Sequence, residues 1–340
     1  MDALLPFVPY LVIGLMLAIY LAIVPIMLIV ERRVSAWVQY RVGPNRVGPL
    51  GLFQPIADAL KMMSKEDIIP LHVNKWLYVA APALMVFPAF FVVGVIPWGF
   101  ITVGGREIWI QIGQTNIGVL YVLAVSSLSV YAITFGAWAS NNKYSLFGGM
   151  RSAAQMISYE LPMGMAIMSM VLVVGSLKIE DIVNFQIQNH MWGIVFQPLA
   201  ALLFIATAFA ETNRTPFDLT EAEAELVAGY HTEYSSMKFG LFYLGEYCNM
   251  LTNSIMITCL FLGGWHIPFV NDMGFSPLTR DLINLGGFAF KVLFLMFFYV
   301  WVRWTLPRFR YDQLMNLGWK KMIPLALANI LITAIWLAFV

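Results

Sequence analysis

The chain has 340 residues, of which 60% are hydrophobic and only 11% charged, with a formal net charge of +1. Soluble domains carry roughly 25% charged residues, so this chain cannot cover a water-facing surface, and most of its exterior must face lipid. The near-zero charge argues against a nucleic-acid partner. Two cysteines, Cys248 and Cys259, without CxxC spacing argue against a disulfide framework or a metal site.

The apolar run from Ala3 to Val30 lacks a basic leader and is too long for a cleavable signal segment, so it reads as the first membrane span. Further charge-poor stretches of about 20 residues, the length that crosses a hydrocarbon core, follow along the chain. The expected architecture is an all-α integral membrane protein, a single membrane domain over 1–340. It has about eight transmembrane helices, near 5–30, 77–98, 117–139, 157–177, 193–211, 239–264, 283–303 and 322–340. Glu246 in the sixth span and Lys291 in the seventh depart from purely apolar composition.

The seven loops between these spans sort the basic residues sharply. Loops one, three, five and seven hold 16 of the 20 Lys and Arg residues, loops two, four and six hold three, and Lys291 lies within a span. The positive-inside rule places the odd loops in the cytoplasm and both termini outside.

Loop one opens with Glu31-Arg32-Arg33 and turns at Gly43-Pro44 and Gly48-Pro49. From Leu52, apolar residues recur at helical spacing (Phe53, Ile56, Leu60, Met63), with Gln54, Asp58 and Lys61 on the opposite stripe. This predicts an amphipathic interfacial helix near 52–64. Its polar stripe is either a solvated connector or, with Arg32 and Arg41, the lining of an opening for an amphiphile whose tail stays in lipid.

Loop five is the most unusual passage. Glu211, Asp218, Glu221, Glu223, Glu225 and Glu233 place six of the nineteen acidic residues within 23 positions, and Glu246 follows inside the sixth span. An acidic run is ordinarily a solvated surface. Here it abuts two spans and is interleaved with Leu219, Leu226, Val227 and Tyr230, while Glu160 lies one turn into the fourth span. A charge at the bilayer centre costs about 2.5–3.5 kcal/mol even on insertion scales. Each such acid must pair with a cation or hold a proton, and Arg151, Arg214 and Lys291 are the candidate cations. Carboxylates in proximity titrate together, which is the physical outline of a proton relay. Glu160 alone reads equally well as an interfacial snorkelling residue.

Four segments resemble one family closely: ERRVSAWVQYRVGPNRVGPLGLFQPIADALK (31–61), MRSAAQMISYELPMG (150–164), ETNRTPFDLTEAEAELVAGYHTEY (211–234) and WVRWTLPRFRYDQLM (301–315). In sequence and order they resemble the quinone-site membrane subunit of respiratory complex I, which is the H subunit of bacterial NADH:quinone oxidoreductases and subunit 1 in mitochondria. The resemblance implies a membrane-arm subunit of a proton-translocating NADH:quinone reductase, carrying no redox centre or metal of its own. Quinone is its substrate; FMN, NAD and iron–sulfur clusters reside in partner subunits. Its partners are the peripheral-arm quinone-site subunits and the antiporter-like and small membrane-arm subunits, in a bacterial inner membrane.

Carried over residue by residue, the resemblance implies a quinone tunnel and opening at Arg32, Trp37, Arg41, Phe53, Gln54, Asp58, Phe239 and Phe242. It implies a carboxylate relay through Glu160, Glu211, Asp218, Glu221, Glu223, Glu225 and Glu246, with Arg151, Arg214 and Lys291 in support. Three other readings stay open: the related membrane subunit of a membrane-bound hydrogenase or formate hydrogenlyase, a stand-alone proton-coupled transporter, and a structural assembly anchor whose carboxylates dock basic partner loops. The intact loop-one segment favours the quinone version. A transporter of this kind would show internal repeats, and no self-similarity between the halves is obvious.

Overall fold

The computed structural model describes residues 8–103, 106–219, 227–268, 270 and 276–339. It is helical almost throughout. Helix α1 (Val8–Val38) leads through a 3-10 turn at Pro49–Gly51 to α2 (Gln54–Ser64), which is followed by α3 (Lys75–Val93). A two-stranded antiparallel hairpin, β1 (Phe100–Val103) and β2 (Arg106–Trp109), interrupts the helical pattern. It is tied to the membrane bundle where the Thr102 amide donates to the buried Asp281 carboxylate at 2.8 Å. Then come α4 (Gly118–Ser126), α5 (Leu128–Ala139), α6 (Lys143–Val174), α7 (Ile179–Gln188), α8 (Gly193–Phe196) and α9 (Pro198–Glu211). The last part comprises α10 (Ser236–Phe261), α11 (Pro277–Thr305), α12 (Tyr311–Leu317), a π-helical turn at Gly318–Met322, and α13 (Ile323–Phe339).

By length and composition, six stretches among the described residues can cross a membrane: Tyr10–Val38, Lys75–Val93, Gly118–Ala139, Lys143–Val174, Pro277–Thr305 and Tyr311–Phe339. Their outward faces carry large apolar side chains such as Phe87, Phe91, Trp138, Phe290, Leu331 and Trp336, as lipid contact requires. Helix α9 is apolar but has only 14 residues.

Helix α10 matches the expected sixth span near 239–264 and is long enough to span, but it is too polar to count among these six, and its environment explains why. Every residue from Gly245 to Phe261 is buried, so α10 meets other helices on all sides. Polar side chains on a helix that never touches lipid need only find partners within the protein. They do: the Tyr20 hydroxyl donates to the Cys248 carbonyl at 2.9 Å and lies 3.0 Å from Thr252 Oγ1, while Ser254 and Thr258 bond back to Met250 and Ser254 carbonyls. Helices α3, α9 and α11 pack against α10, and α6 packs along α5, α9 and α13.

Helix α6 starts at Lys143, well before the apolar stretch from 157. Asn142 caps it, accepting from the Tyr144 amide at 2.9 Å, and the αL residue Gly175 ends it. Its first turns carry Gly148, Arg151, Ser152 and Gln155, which are helical but too polar for a hydropathy signal. Helix α2 begins two residues later than the periodicity suggests. Gly48 and Gly51 have positive φ around the 3-10 turn, and Pro55 occupies the first helical turn.

Candidate functional site

The polar centre of the molecule is assembled where α1, α10, α11 and the segment after α9 converge. The Gln155 amide of α6 holds that segment in place, donating to the Ala210 carbonyl (2.9 Å), Asn213 Oδ1 (3.1 Å) and the Phe217 carbonyl (2.9 Å). The Asn213 amide returns a bond to Ser152 Oγ at 3.2 Å. A loop pinned this way presents Arg214 and Asp218 inward rather than to solvent.

Glu31, near the end of α1, is the hub. Its carboxylate accepts from Arg303 of α11 and from the Tyr247 hydroxyl of α10, and Arg214 Nη1 lies 3.5 Å away. The Arg214 guanidinium also sits over the Tyr247 ring, 4.4 Å from its centroid. Glu31 and Arg214 are both buried. One carboxylate between two guanidiniums and a phenol leaves excess donor capacity. Among the described residues, Arg214 Nε and Nη2 have no hydrogen-bond partner.

Asp218 extends the network. Arg308 donates to its Oδ2 at 2.9 Å, whereas Oδ1 is buried with no partner among the described residues. Burial pushes the Asp218 carboxyl up, and although the charges of Arg308 and Arg303 oppose this, it stays above the usual aspartate value. One residue before Tyr247 on α10, buried Glu246 accepts from the Tyr230 hydroxyl at 2.8 Å. Beside it, His231 is enclosed by Tyr230, Phe239, Phe242 and Tyr243, with ring centroids 3.8–5.5 Å apart. Burial drives the His231 pKa down to about 4, against the pull of the Glu246 charge. Glu211, at the end of α9, is buried and accepts from Asn253 of α10 at 3.0 Å. The Tyr299 hydroxyl is buried without a partner among the described residues.

On the surface side, Arg32 pairs with Asp58 at 2.7 Å, Gln54 donates to the same carboxylate at 3.2 Å, and Lys61 lies 3.6 Å away. Burial alone would raise the Asp58 pKa, but the hydrogen bond and charge of Arg32, with Gln54 and Lys61, hold it below the usual value. Trp37 and Phe53 are exposed, and the Arg41 side chain donates to Gln39 Oε1 at 2.7 Å on the exposed surface. Phe242 is fully buried, and Phe239 half-buried, in the aromatic box around His231. Helix α2 packs against both α1 and α10, so Arg32, Gln54 and Asp58 share one edge of the bundle with the base of α10.

The remaining expected residues separate. Glu160 is half-buried on α6, which packs along α9 beside Glu211. Arg151 lies over the Tyr311 ring at 5.6 Å, in a surface cleft of about 510 Å³ that Phe147, Met150 and Ala154 also line. The Lys291 ammonium donates to the Leu262, Gly264 and His266 carbonyls at 2.7, 3.0 and 2.7 Å, beyond the C-terminal end of α10. It makes no ion pair with a carboxylate among the described residues. Glu221, Glu223 and Glu225 lie outside the described residues. Among the described residues no cluster of three or more His, Cys, Asp or Glu side chains could hold a metal ion.

Sequence reasoning passes over Glu31, Gln155, Tyr230, Tyr247, Arg303 and Arg308. A signal for Glu31, Arg303 and Arg308 is present: charges at the ends of apolar runs, on the sides rich in basic residues. The partners of Gln155 and the two tyrosines depend on helix packing that no local pattern encodes.

A helical bundle of this kind, with a central polar helix and a buried carboxylate–guanidinium network near an amphipathic surface helix, defines a membrane protein with ionisable groups enclosed among its helices. The chain belongs to the NADH dehydrogenase family, whose model matches residues 11–334. It is 50% identical over 304 residues to an NADH-quinone oxidoreductase H subunit of Cytophaga hutchinsonii, covering 89% of each chain. It is 50% identical over 320 residues to the NADH-quinone oxidoreductase H subunit of Leptospira biflexa, covering 91% of this chain and 89% of the relative. With an NADH-quinone oxidoreductase H subunit of Geobacter metallireducens the identity is 48% over 322 residues, 94% of each chain.

Proposed function

We propose that this chain is the quinone-site membrane subunit of a proton-translocating NADH:quinone oxidoreductase, seated in a bacterial inner membrane with its odd-numbered loops in the cytoplasm and both termini outside. The names of its relatives support the complex and the substrate. Electrons reach the quinone from FMN and iron–sulfur clusters held by partner subunits, and the peripheral-arm subunits complete the quinone site. The quinone head passes the edge formed by α1, α2 and the base of α10, near Arg32, Trp37, Arg41, Phe53, Gln54 and Asp58. Its isoprenoid tail remains in lipid against the exposed apolar face of α2.

The observation that supports this reading is the set of buried carboxylates gathered inside that edge, Glu31, Asp218, Glu246 and Glu211, of which Glu31 is paired with buried Arg214 and half-buried Arg303, and Asp218 with exposed Arg308. Reduction of the quinone places charge, then protons, beside the first of these groups. Two unit charges about 5 Å apart at an effective dielectric of about 20 interact by roughly 3 kcal/mol, and 1.36 kcal/mol moves a pKa by about one unit. A redox event at the tunnel therefore shifts protons on Asp218 and passes the change toward Glu246, Glu211 and Glu160. Glu221, Glu223 and Glu225 join the same relay in this proposal.

The test uses membranes containing the intact complex. Asp218→Asn keeps shape and an acceptor for Arg308 but cannot lose a proton. NADH:quinone turnover is expected to fall at least about tenfold, equivalent to 1.4 kcal/mol, while electron transfer from NADH to ferricyanide, which bypasses the quinone site, stays at the parent level. Parent-level quinone turnover in Asp218→Asn rejects the relay. Assembly of the chain without an NADH-oxidising partner rejects the complex.

A further inference from the structure

Of all the carboxylates in the network, Glu246 has the least obvious reason to stand where it does. It is buried in α10, and a carboxylate removed from water must be hydrogen-bonded. A hydrogen bond to it comes from the Tyr230 hydroxyl at 2.8 Å, and Tyr230 is itself fully buried. The phenol is held from two directions. Its ring lies edge-on to Phe242 of α10, with centroids 5.5 Å apart. Its backbone rests on α6, where Ser145 Oγ donates to the Tyr230 carbonyl at 3.2 Å. Gly148 of α6 approaches so closely that a Cβ there would stand 2.7 Å from the Gly229 Cα. No side chain fits at that crossing, so the 3-10 turn Gly229–His231 is seated directly on α6.

We propose that Tyr230 is a positioning residue for Glu246: a phenol anchored on α6 that fixes the orientation of the Glu246 carboxylate and so makes its proton affinity depend on where α6 holds the turn. This rests on the reading of Glu246 as a relay carboxylate. A phenol suits the task because its oxygen can donate to an ionised carboxylate and accept from a protonated one. Proton gain or loss at Glu246 then costs a hydroxyl rotation rather than a broken contact.

The experiment compares the whole complex in membranes with Tyr230→Phe, Glu246→Gln and the double variant, and with 3-fluorotyrosine incorporated at position 230. Redox-induced infrared difference spectra assign the Glu246 band as the one that Glu246→Gln removes. Deleting the hydroxyl should shift that band, and fluorotyrosine, a stronger donor of nearly the same size, should shift it the opposite way. NADH:quinone turnover in Tyr230→Phe should fall about tenfold, the scale of one hydrogen bond to a charged group, with KM for quinone and ferricyanide reduction unchanged. The double variant should be no slower than Glu246→Gln alone. An unmoved Glu246 band in both position-230 proteins overturns the proposal, as does a double variant slower than Glu246→Gln. If Glu246→Gln itself turns over normally, the relay reading of Glu246 fails, and the band still decides whether Tyr230 positions it.

Discussion

Charged side chains meet helix α10 at two places roughly 20 Å apart, given about 1.5 Å of rise per residue, and the two are satisfied in opposite ways. Beyond its C-terminal end, Lys291 spends all three ammonium protons on backbone carbonyls of Leu262, Gly264 and His266. Those acceptors are fixed by the chain and do not titrate, so this end is held in one arrangement. In the N-terminal half, the partners of Glu31, Asp218 and Glu246 are side chains that rotate or carry charge, and buried donor and acceptor atoms on Arg214 and Asp218 are left over. A site with spare hydrogen-bonding capacity has neighbouring arrangements to move into; a fully satisfied one does not. The N-terminal half is therefore the part with room to respond to a charge appearing nearby.

The largest way to break this contrast is to remove the hub. Glu31→Leu strands Arg214 and Arg303 around an apolar side chain, and removing one member of a buried ion pair costs about 3–5 kcal/mol. The expected outcome is a severe loss of assembled complex, read by the amount of the chain in purified complex, with partial recovery when Arg214→Met is added. A complex that assembles normally with Glu31→Leu alone would show that the network is not the structural hub. A second, smaller effect belongs to His231. Its pKa is depressed to about 4 by burial, so the folded form refuses a proton that the unfolded chain accepts below its ordinary value near 6.5. The stability present above pH 6.5 is thus lost as pH falls from about 6.5 to about 4, by about 3 kcal/mol. His231→Gln should flatten that part of the pH profile of the thermal-inactivation midpoint.

The contrast also explains what can be read from the sequence. The apolar helices are legible because lipid contact selects long charge-free runs, and the polar stripe of α2 is legible because its members lie three or four residues apart: Gln54, Asp58 and Lys61 do meet around one carboxylate. Glu31 is not legible as a hub because two of its partners, Tyr247 and Arg303, are 216 and 272 positions away, and helix packing alone brings them together. Lys291 stands out as an intramembrane charge needing a partner, and the natural expectation is a carboxylate. Sequence patterns show charged side chains but not the backbone carbonyls that the turn after a helix leaves open, which is what this ammonium uses. The early start of α6 is hidden for the complementary reason that hydropathy detects lipid, not helix.

Lys291→Met sharpens the comparison from the other end. Methionine keeps the stem's volume but leaves three carbonyls without their donor, and an unsatisfied buried polar group costs about 1–3 kcal/mol. The thermal-inactivation midpoint should fall, while turnover with quinone at low temperature stays near the parent value, because the carbonyl partners of Lys291 do not titrate. A drop in turnover with an unchanged midpoint would move Lys291 into the responsive group.

The smallest effect is expected on the surface helix and calibrates the other three. Lys61 stands 3.6 Å from Asp58 and is 58% exposed, whereas Arg32 is at 2.7 Å and Gln54 also donates to that carboxylate. Solvent screens an exposed pair of this kind to about 0–1 kcal/mol, and Asp58 retains two nearer partners when Lys61 is replaced. Lys61→Ala should therefore change stability by less than about 0.5 kcal/mol, and the change should vanish at high salt, where the Debye length shrinks to about 3 Å. The Asp58 pKa is held down by several neighbours at once, so the stabilisation it contributes is present above its ordinary value and lost as pH falls through the depressed one. Removing Lys61 should move that loss only slightly upward in pH. An effect of Lys61→Ala as large as that of Lys291→Met would mean that α2 is shielded from solvent in the assembled complex, and its polar stripe would then belong with the responsive carboxylates at the base of α10 rather than with the exposed surface.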